Sequence, residues 1–146
     1  MECVMMRKNL FSLYLIISFA LTVNAAEMNL ESRMASERDL SDGDIIATGR
    51  VFCKENDISL VSLLNIQSTD DGLGNVYILQ GKGRVANKLI VRIEGDGWHS
   101  SGEIGKGIYK IQKNTSEQFH VVVNGRQRVN PDVYTIKASS VCSGSR

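Results

Sequence analysis

The sequence has no excess of charge of either sign. Its 17 lysine and arginine residues are balanced by 16 aspartate and glutamate residues, which leaves a formal net charge of +1. Proteins that neutralise nucleic-acid phosphates instead concentrate lysine and arginine on one surface. The composition therefore predicts no nucleic-acid partner.

The sequence also lacks an apolar run long enough to span a membrane comfortably. Its longest run, residues 10–23, has about 14 residues, whereas a spanning helix needs about 20. A short basic segment precedes the run, and small residues suited to cleavage follow it at Ala25 and Ala26. This order is typical of a secretory signal peptide. We predict that residues 1–26 are a signal peptide and that residues 27–146 form one exported domain, with a membrane anchor as the alternative.

Cysteine is scarce, and one of the three cysteines, Cys3, lies in the predicted signal peptide. The exported domain therefore contains Cys53 and Cys142. Two cysteines in an exported domain most often pair, so we predict a disulfide between them, with two free thiols as the alternative. Closing a loop of about 90 residues stabilises a fold by roughly 4 to 5 kcal/mol in the chain-entropy model.

Residue sets for catalysis or metal binding are missing as well. The two histidines, His99 and His120, have no cysteine near them in sequence that would complete a zinc site. No serine lies in a Gly-x-Ser-x-Gly elbow, and the glycine-rich segment 102–107 departs from the spacing of a phosphate loop. Residues 70–72 lack the alternate-position ligands of a calcium loop. We predict no enzyme activity, no catalytic residue, no metal site and no cofactor.

What the sequence does contain is the alternation of apolar and polar residues that is typical of half-buried strands. Frequent Gly, Asp and Asn turns, a single proline and the lack of a convincing helix point the same way. About seven short strands of this kind predict an all-β sandwich of immunoglobulin-like type. The predicted strands cover residues 28–33, 44–54, 58–67, 76–80, 88–94, 119–123 and 134–142.

Three single residues carry more specific predictions. Gly49, inside a predicted strand, indicates a bulge or the close approach of another backbone. Pro131 followed three residues later by Tyr134 fits a tyrosine corner of immunoglobulin-like domains, with an ordinary core tyrosine as an equal alternative. Trp98 is interpreted as a plug at one end of the sandwich, with a binding anchor as the alternative.

The last predicted strand is followed only by the polar residues 143–146. An immunoglobulin-like sandwich needs one more strand there, because otherwise a ladder of backbone N–H and C=O groups and an apolar groove stay exposed. A strand from another chain supplies both the hydrogen bonds and the alternating apolar side chains. We therefore predict an incomplete immunoglobulin-like β-sandwich that lacks its last strand and is completed by a donor strand from another subunit. From their parity, the predicted walls of the acceptor groove are Met28, Leu30, Tyr134, Ile136 and Ala138.

The first predicted strand begins almost at the predicted cleavage site, which leaves no room for a donor segment of the chain's own. A subunit that accepts a strand but has none to give can only cap the end of a linear polymer. The sequence therefore predicts a place at the tip of such a polymer, the end that is exported first.

Short segments distributed along the exported domain carry a family resemblance by their order and spacing. These segments are Leu30-Glu31-Ser32-Arg33, Asp42-Gly43, Ala47-Thr48-Gly49-Arg50 leading to Cys53, Gly95-Asp96-Gly97-Trp98, Gly105-Lys106-Gly107, and Pro131-x-x-Tyr134 before Cys142. The sequence resembles the D-type invasin subunits of the Afa/Dr adhesins and the matching minor subunits of the aggregative adherence fimbriae of Escherichia coli. The resemblance implies an incomplete immunoglobulin-like fold, a disulfide between the second and last strands, and display at a fimbrial tip or bacterial surface.

The resemblance also implies a function in adhesion to, or invasion of, host cells. The expected partners are the major fimbrial subunit as strand donor, a periplasmic chaperone, an outer-membrane usher and a host-cell receptor, with integrins of the β1 type as the proposed receptor. Segment 55–86 matches the family least well, so receptor contacts are expected there, but no receptor-binding residue is assigned. The alternative function is an autonomous secreted or periplasmic β-sandwich that binds a ligand or inhibits an enzyme.

Overall fold

The computed structural model describes residues 23–64, 67–68 and 74–144, and in this part of the chain it contains twelve β-strands and no helix. No helix in those ranges is therefore long and apolar enough to cross a membrane. The strands are β1 (Val23–Met34), β2 (Arg38–Leu40), β3 (Ile45–Phe52), β4 (Ile58–Leu64), β5 (Gln67–Ser68), β6 (Val76–Gln80), β7 (Lys88–Glu94), β8 (His99–Ser100), β9 (Ile108–Ile111), β10 (Ser116–Val123), β11 (Gln127–Val129) and β12 (Asp132–Ser143). The predicted all-β class is confirmed.

The strands form two five-stranded sheets and one small ribbon. The first sheet has the order β1-β12-β4-β9-β8, the second has the order β3-β10-β7-β6-β5, and β2 pairs with β11. All these strand pairs are antiparallel. The two large sheets do not close into a barrel, since β1 and β8 are the edges of one and β3 and β5 the edges of the other.

The core lies between the two large sheets and follows the alternation of the sequence. In β7 the side chains of Leu89, Val91 and Ile93 are buried, while Lys88 and Glu94 at its ends are exposed. The same period of two buries one face of β10 and one face of β12. Each of these three strands therefore contributes one row to the core and one row to the outer surface, as a half-buried strand requires.

The structure contains more strands than the alternation predicts. The additional strands β2, β5, β8, β9 and β11 have between two and four residues each. Such short segments carry too few residues for a period to be recognised, and their pairing with distant strands defines them. One of them, β11, lies between β10 and β12, so the predicted strand at 119–123 is not the last but one. Residues 70–72, which the sequence analysis compared with a calcium loop, lie outside the described residues.

Gly49 is in close contact with a ring rather than with another backbone. It pairs with Phe119 across β3 and β10, and a Cβ atom at position 49 would overlap the Phe119 ring. Of the two alternatives predicted for Gly49, a bulge or the close approach of another backbone, neither lies at this residue; a bulge lies nearby at Ile46, where the register steps from Ala47 to Ile45 between two successive residues of β10. The Phe119 ring can lie against the β3 backbone at this point because the glycine has no side chain.

We expect Gly49→Ala to lower the free energy of unfolding by about 1–3 kcal/mol, because the added methyl group overpacks the Phe119 ring. Urea unfolding of the disulfide-intact chain measures the change. The matched background is Phe119→Leu, in which the ring is absent and the same glycine substitution should cost much less. Equal costs in the two backgrounds would show that the ring does not restrict position 49.

Candidate functional site

The last strand, β12, is hydrogen-bonded along both of its edges. On one side β4 pairs with its second half, from Lys137 to Ser143. On the other side β1 pairs with its whole length, from Val23 opposite Ser143 to Met34 opposite Asp132. We call this second side, over residues 132–143, the β12 edge.

The structure brings the five predicted groove residues together on the inner face of these two strands. Tyr134, Ile136 and Ala138 are at most 1% exposed, and Met28 and Leu30 are half-buried against the same core. Met28 lies opposite Ala138 and Leu30 opposite Ile136 in the strand pair. Alternation thus places all five side chains on the predicted face.

In the structure the two strands that bear these residues are hydrogen-bonded directly to each other, so the predicted groove between them is closed. The β12 edge, predicted to be free, is paired with β1, because backbone N–H and C=O groups beside an apolar row gain hydrogen bonds that they would otherwise lack. Strand β1 begins at Val23, ahead of the predicted mature start at Glu27. Part of the pairing therefore comes from residues inside the predicted signal peptide.

A cavity of about 310 Å³ adjoins the β12 edge where β4 ends. Leu64, the last residue of β4, pairs with Lys137, so the first half of β12 has no β4 partner. Most of its lining residues belong to the outer faces of the three strands: Asn29, Glu31, Leu64, Thr135 and Lys137. The cavity is therefore a depression on the outer face of the sheet, and the inner row of β12 stays buried beneath it.

A disulfide joins the two large sheets at the far end of the site. Cys53 follows β3 of the second sheet, Cys142 lies in β12 of the first, and their Cα atoms are 5.7 Å apart. The pairing is the one that the two cysteines of the exported domain predict. Both cysteines are buried, so the covalent link holds β12 against the opposite sheet.

Tyr134 anchors the other end of β12, and it is both a core tyrosine and the tyrosine of a corner. Its ring is completely buried, and its hydroxyl donates a hydrogen bond of 2.9 Å to the carbonyl oxygen of Asn130, four residues upstream. This is the geometry of a tyrosine corner. The corner anchors the turn at Pro131 from which β12 starts.

Asp132, which the sequence analysis did not single out, holds a neighbouring loop against the start of β12. Its carboxylate accepts hydrogen bonds from the Asn87 side chain and from the backbone N–H groups of Gly83 and Arg84. The hydrogen bond from Asn87 is the largest cause of a lowered pKa, and together with the backbone donors it brings the pKa of Asp132 to about 2. Because the ionised form is favoured in the fold, this contribution is present above the ordinary pKa of 3.8 and is lost as the pH falls through about 2. The partners are 45 to 49 residues away, so no local pattern marks them.

The other residues considered for chemistry have structural surroundings. Trp98 is 9% exposed, and its indole N–H donates to the Gln118 carbonyl at 2.9 Å, as expected of a plug rather than an accessible anchor. His99 packs against Tyr109, and His120 shares a hydrogen bond of 3.0 Å with Thr48. Within the described ranges, no group of three or more His, Cys, Asp or Glu residues is arranged to hold a metal ion.

Comparison with known proteins gives similarities that extend over most of the chain. A family model described as the Enterobacteria AfaD invasin protein matches residues 36–140. Protein AfaD of Escherichia coli is 37% identical over 120 residues, which cover 81% of this chain and 80% of that protein. Protein AggB of Escherichia coli is 31% identical over 125 residues, 85% of each chain. Among solved structures, HdaB, the minor tip subunit of the E. coli Hda pilus, has a TM-score of 0.66 and 30% identity over 82% of each chain.

Proposed function

This chain belongs to the AfaD family of enterobacterial invasins, and from that premise we propose that it accepts a strand from another fimbrial subunit at the β12 edge. Its relatives are fimbrial adhesin and invasin subunits, among them a minor tip subunit of a pilus. This kinship supports the fimbrial function that the sequence predicts over an autonomous binding or inhibitor protein. The observation that carries the acceptor role is the buried row of Tyr134, Ile136 and Ala138 beside an edge covered by a single strand.

The β12 edge has the two properties that strand addition requires. It offers a continuous ladder of backbone hydrogen-bonding groups over residues 132–143, and it has an apolar row that alternate side chains of a partner strand would cover. Main-chain hydrogen bonds provide affinity in such complexes, and the pockets for alternate side chains provide specificity. We assign the donor strand to the major fimbrial subunit.

The proposal includes the route and the place of assembly. After removal of residues 1–26, a periplasmic chaperone would cover the same edge, and an outer-membrane usher would export the subunit. The subunit would then occupy the fimbrial tip, where it binds a host-cell receptor during adhesion or invasion. An integrin of the β1 type is the receptor class that the family resemblance implies.

Thermal unfolding of residues 27–146, with and without a synthetic peptide copying the donor segment of the major subunit, tests the acceptor role. At a peptide concentration of 100 times Kd, binding adds about 2.7 kcal/mol, which raises Tm by roughly 10 °C in a domain of this size. A scrambled peptide is the control. An unchanged Tm at saturating peptide would contradict the acceptor role and favour an autonomous sandwich.

Two single variants locate the peptide on β12. Ala138→Asp places a charge on the inner row and should abolish the peptide-dependent rise in Tm, because a carboxylate there would be buried. Lys137→Asp changes the charge on the neighbouring outer position and should leave the rise intact. Circular dichroism without peptide checks that each variant is folded before the two responses are compared.

A further inference from the structure

Strand β1 occupies the position that a donor strand would need. Its inner row of Met28, Leu30 and Ser32 lies opposite Ala138, Ile136 and Tyr134 in turn. It thereby supplies to β12 both the backbone hydrogen bonds and the apolar side chains that the donor is proposed to supply.

A donor strand on the free side of β1 would find no core to cover. The opposite sheet ends at β3, which is in contact with β1, and Met28 and Leu30 of β1 and Ile46 and Ala47 of β3 all pack against the core. Apolar side chains of a strand placed beyond β1 would therefore have no facing sheet and would remain in water. The apolar row of a donor gains burial only in the position that β1 now fills.

Strand β1 is also held less firmly than its neighbour. Met28 and Leu30 are only half-buried, whereas the β12 residues opposite them are fully buried. Cleavage after Ala26 would shorten the pairing to Glu27–Met34 and leave residues 140–143 without a partner on that side. An edge strand that has lost a third of its ladder is easier to displace than a complete one.

We propose that β1 and the donor strand compete for the β12 edge, so that donor binding requires β1 to leave β12. This inference rests on the proposed acceptor function. It also specifies the partner: a donor with apolar side chains at the steps of Met28 and Leu30, and a small side chain at the step of Ser32. The small residue is inferred from Ser32, which is buried and lies directly opposite the fully buried Tyr134 in the strand pair.

A covalent lock between the two strands tests the competition. Asn29 and Lys137 lie directly opposite each other on the outer face, so Asn29→Cys with Lys137→Cys should form a disulfide that holds β1 on β12. Fluorescence anisotropy with a labelled donor peptide measures affinity in the oxidised state. We expect the locked chain to bind at least about tenfold more weakly than the Asn29→Cys single variant, which has the same substitution but no lock.

A second lock is the matched control. Ser62→Cys with Ser139→Cys joins β12 to β4 on its other side and should leave peptide affinity unchanged. Hydrogen exchange provides an independent measurement: amides of residues 29–33 should exchange faster when peptide binds the unlocked chain. Equal binding to the β1-locked chain would overturn the competition while leaving the acceptor function intact. If no form binds the peptide, the acceptor function fails, and the competition fails with it.

Discussion

Loss of the disulfide between Cys53 and Cys142 is expected to lower the free energy of unfolding by roughly 4 to 5 kcal/mol. The two residues are 89 positions apart, so the bond removes a large amount of conformational freedom from the unfolded chain. Single domains of ordinary size have about 5–15 kcal/mol of stability in all, so this one bond accounts for a large share of it.

The structural consequence of that loss falls on the functional site. Cys142 lies in β12 and Cys53 follows β3, so the bond is a covalent contact between the strand that bears the β12 edge and the opposite sheet. Without it, the second half of β12 is held by hydrogen bonds and packing alone. We therefore expect hydrogen exchange in residues 139–143 to increase more than in β7, which lies far from the bond in its sheet.

Urea unfolding of the Cys53→Ser/Cys142→Ser variant, beside the oxidised and the reduced wild type, measures the loss. The reduced wild type should match the variant, and the variant should not respond to reductant. If the oxidised wild type and the variant unfolded at the same urea concentration, the prediction would be contradicted. A change confined to the variant would instead indicate an effect of the serines.

The part of the fold that the sequence predicts is the part that local alternation determines. Tyr134, Ile136 and Ala138 follow each other at a period of two, and that period alone places them on one buried face. The cysteine pair was predictable from number and compartment, because an exported domain with two cysteines leaves one pairing. These features need no knowledge of which strands are neighbours.

The pairing of β1 with β12 could not be predicted in the same way. Met28 and Ala138 are opposite each other although 110 positions separate them in the sequence, and no local pattern encodes such a partnership. Parity placed the side chains of both strands on one inner face, and their role as walls of a groove stays a prediction. Whether the walls are apart or in contact depends on competition between strands for one edge, and that is a property of the assembled sheet.

Glu117 shows a second limit of alternation. It shares the parity of Phe119, Val121 and Val123 in β10, a row on which the period of two predicts apolar side chains, and it is buried there. Its carboxylate accepts a hydrogen bond of 2.8 Å from the Lys110 ammonium group, whose side chain is also mostly buried. The charge is tolerated in this row because a partner on β9 neutralises it, and that partner is visible only in the folded structure.

We expect Lys110→Met to lower the free energy of unfolding at pH 7 by about 3 kcal/mol, because it leaves a buried carboxylate without its cation. Backbone N–H groups of Lys113 and Asn114 still donate to Glu117, so the loss should lie at the lower end of the range for broken buried pairs. The companion variant Lys110→Met/Glu117→Gln keeps an acceptor for these donors and removes the charge. It should therefore be more stable at pH 7 than Lys110→Met alone.

The pH dependence separates the missing charge from the missing methylene contacts. In the wild type, the hydrogen bond from Lys110 is the largest cause that lowers the pKa of Glu117 below its ordinary value of 4.5, and the backbone donors lower it further. The resulting stability is present above pH 4.5 and is lost as the pH falls through the lowered pKa. In Lys110→Met, protonation of Glu117 relieves the penalty instead, so the deficit relative to wild type should shrink between pH 7 and about pH 4 in chemical-denaturation curves. A deficit that stays constant over this range, or a double variant no more stable than the single one, would show that Lys110 acts through packing and that the ion pair contributes little.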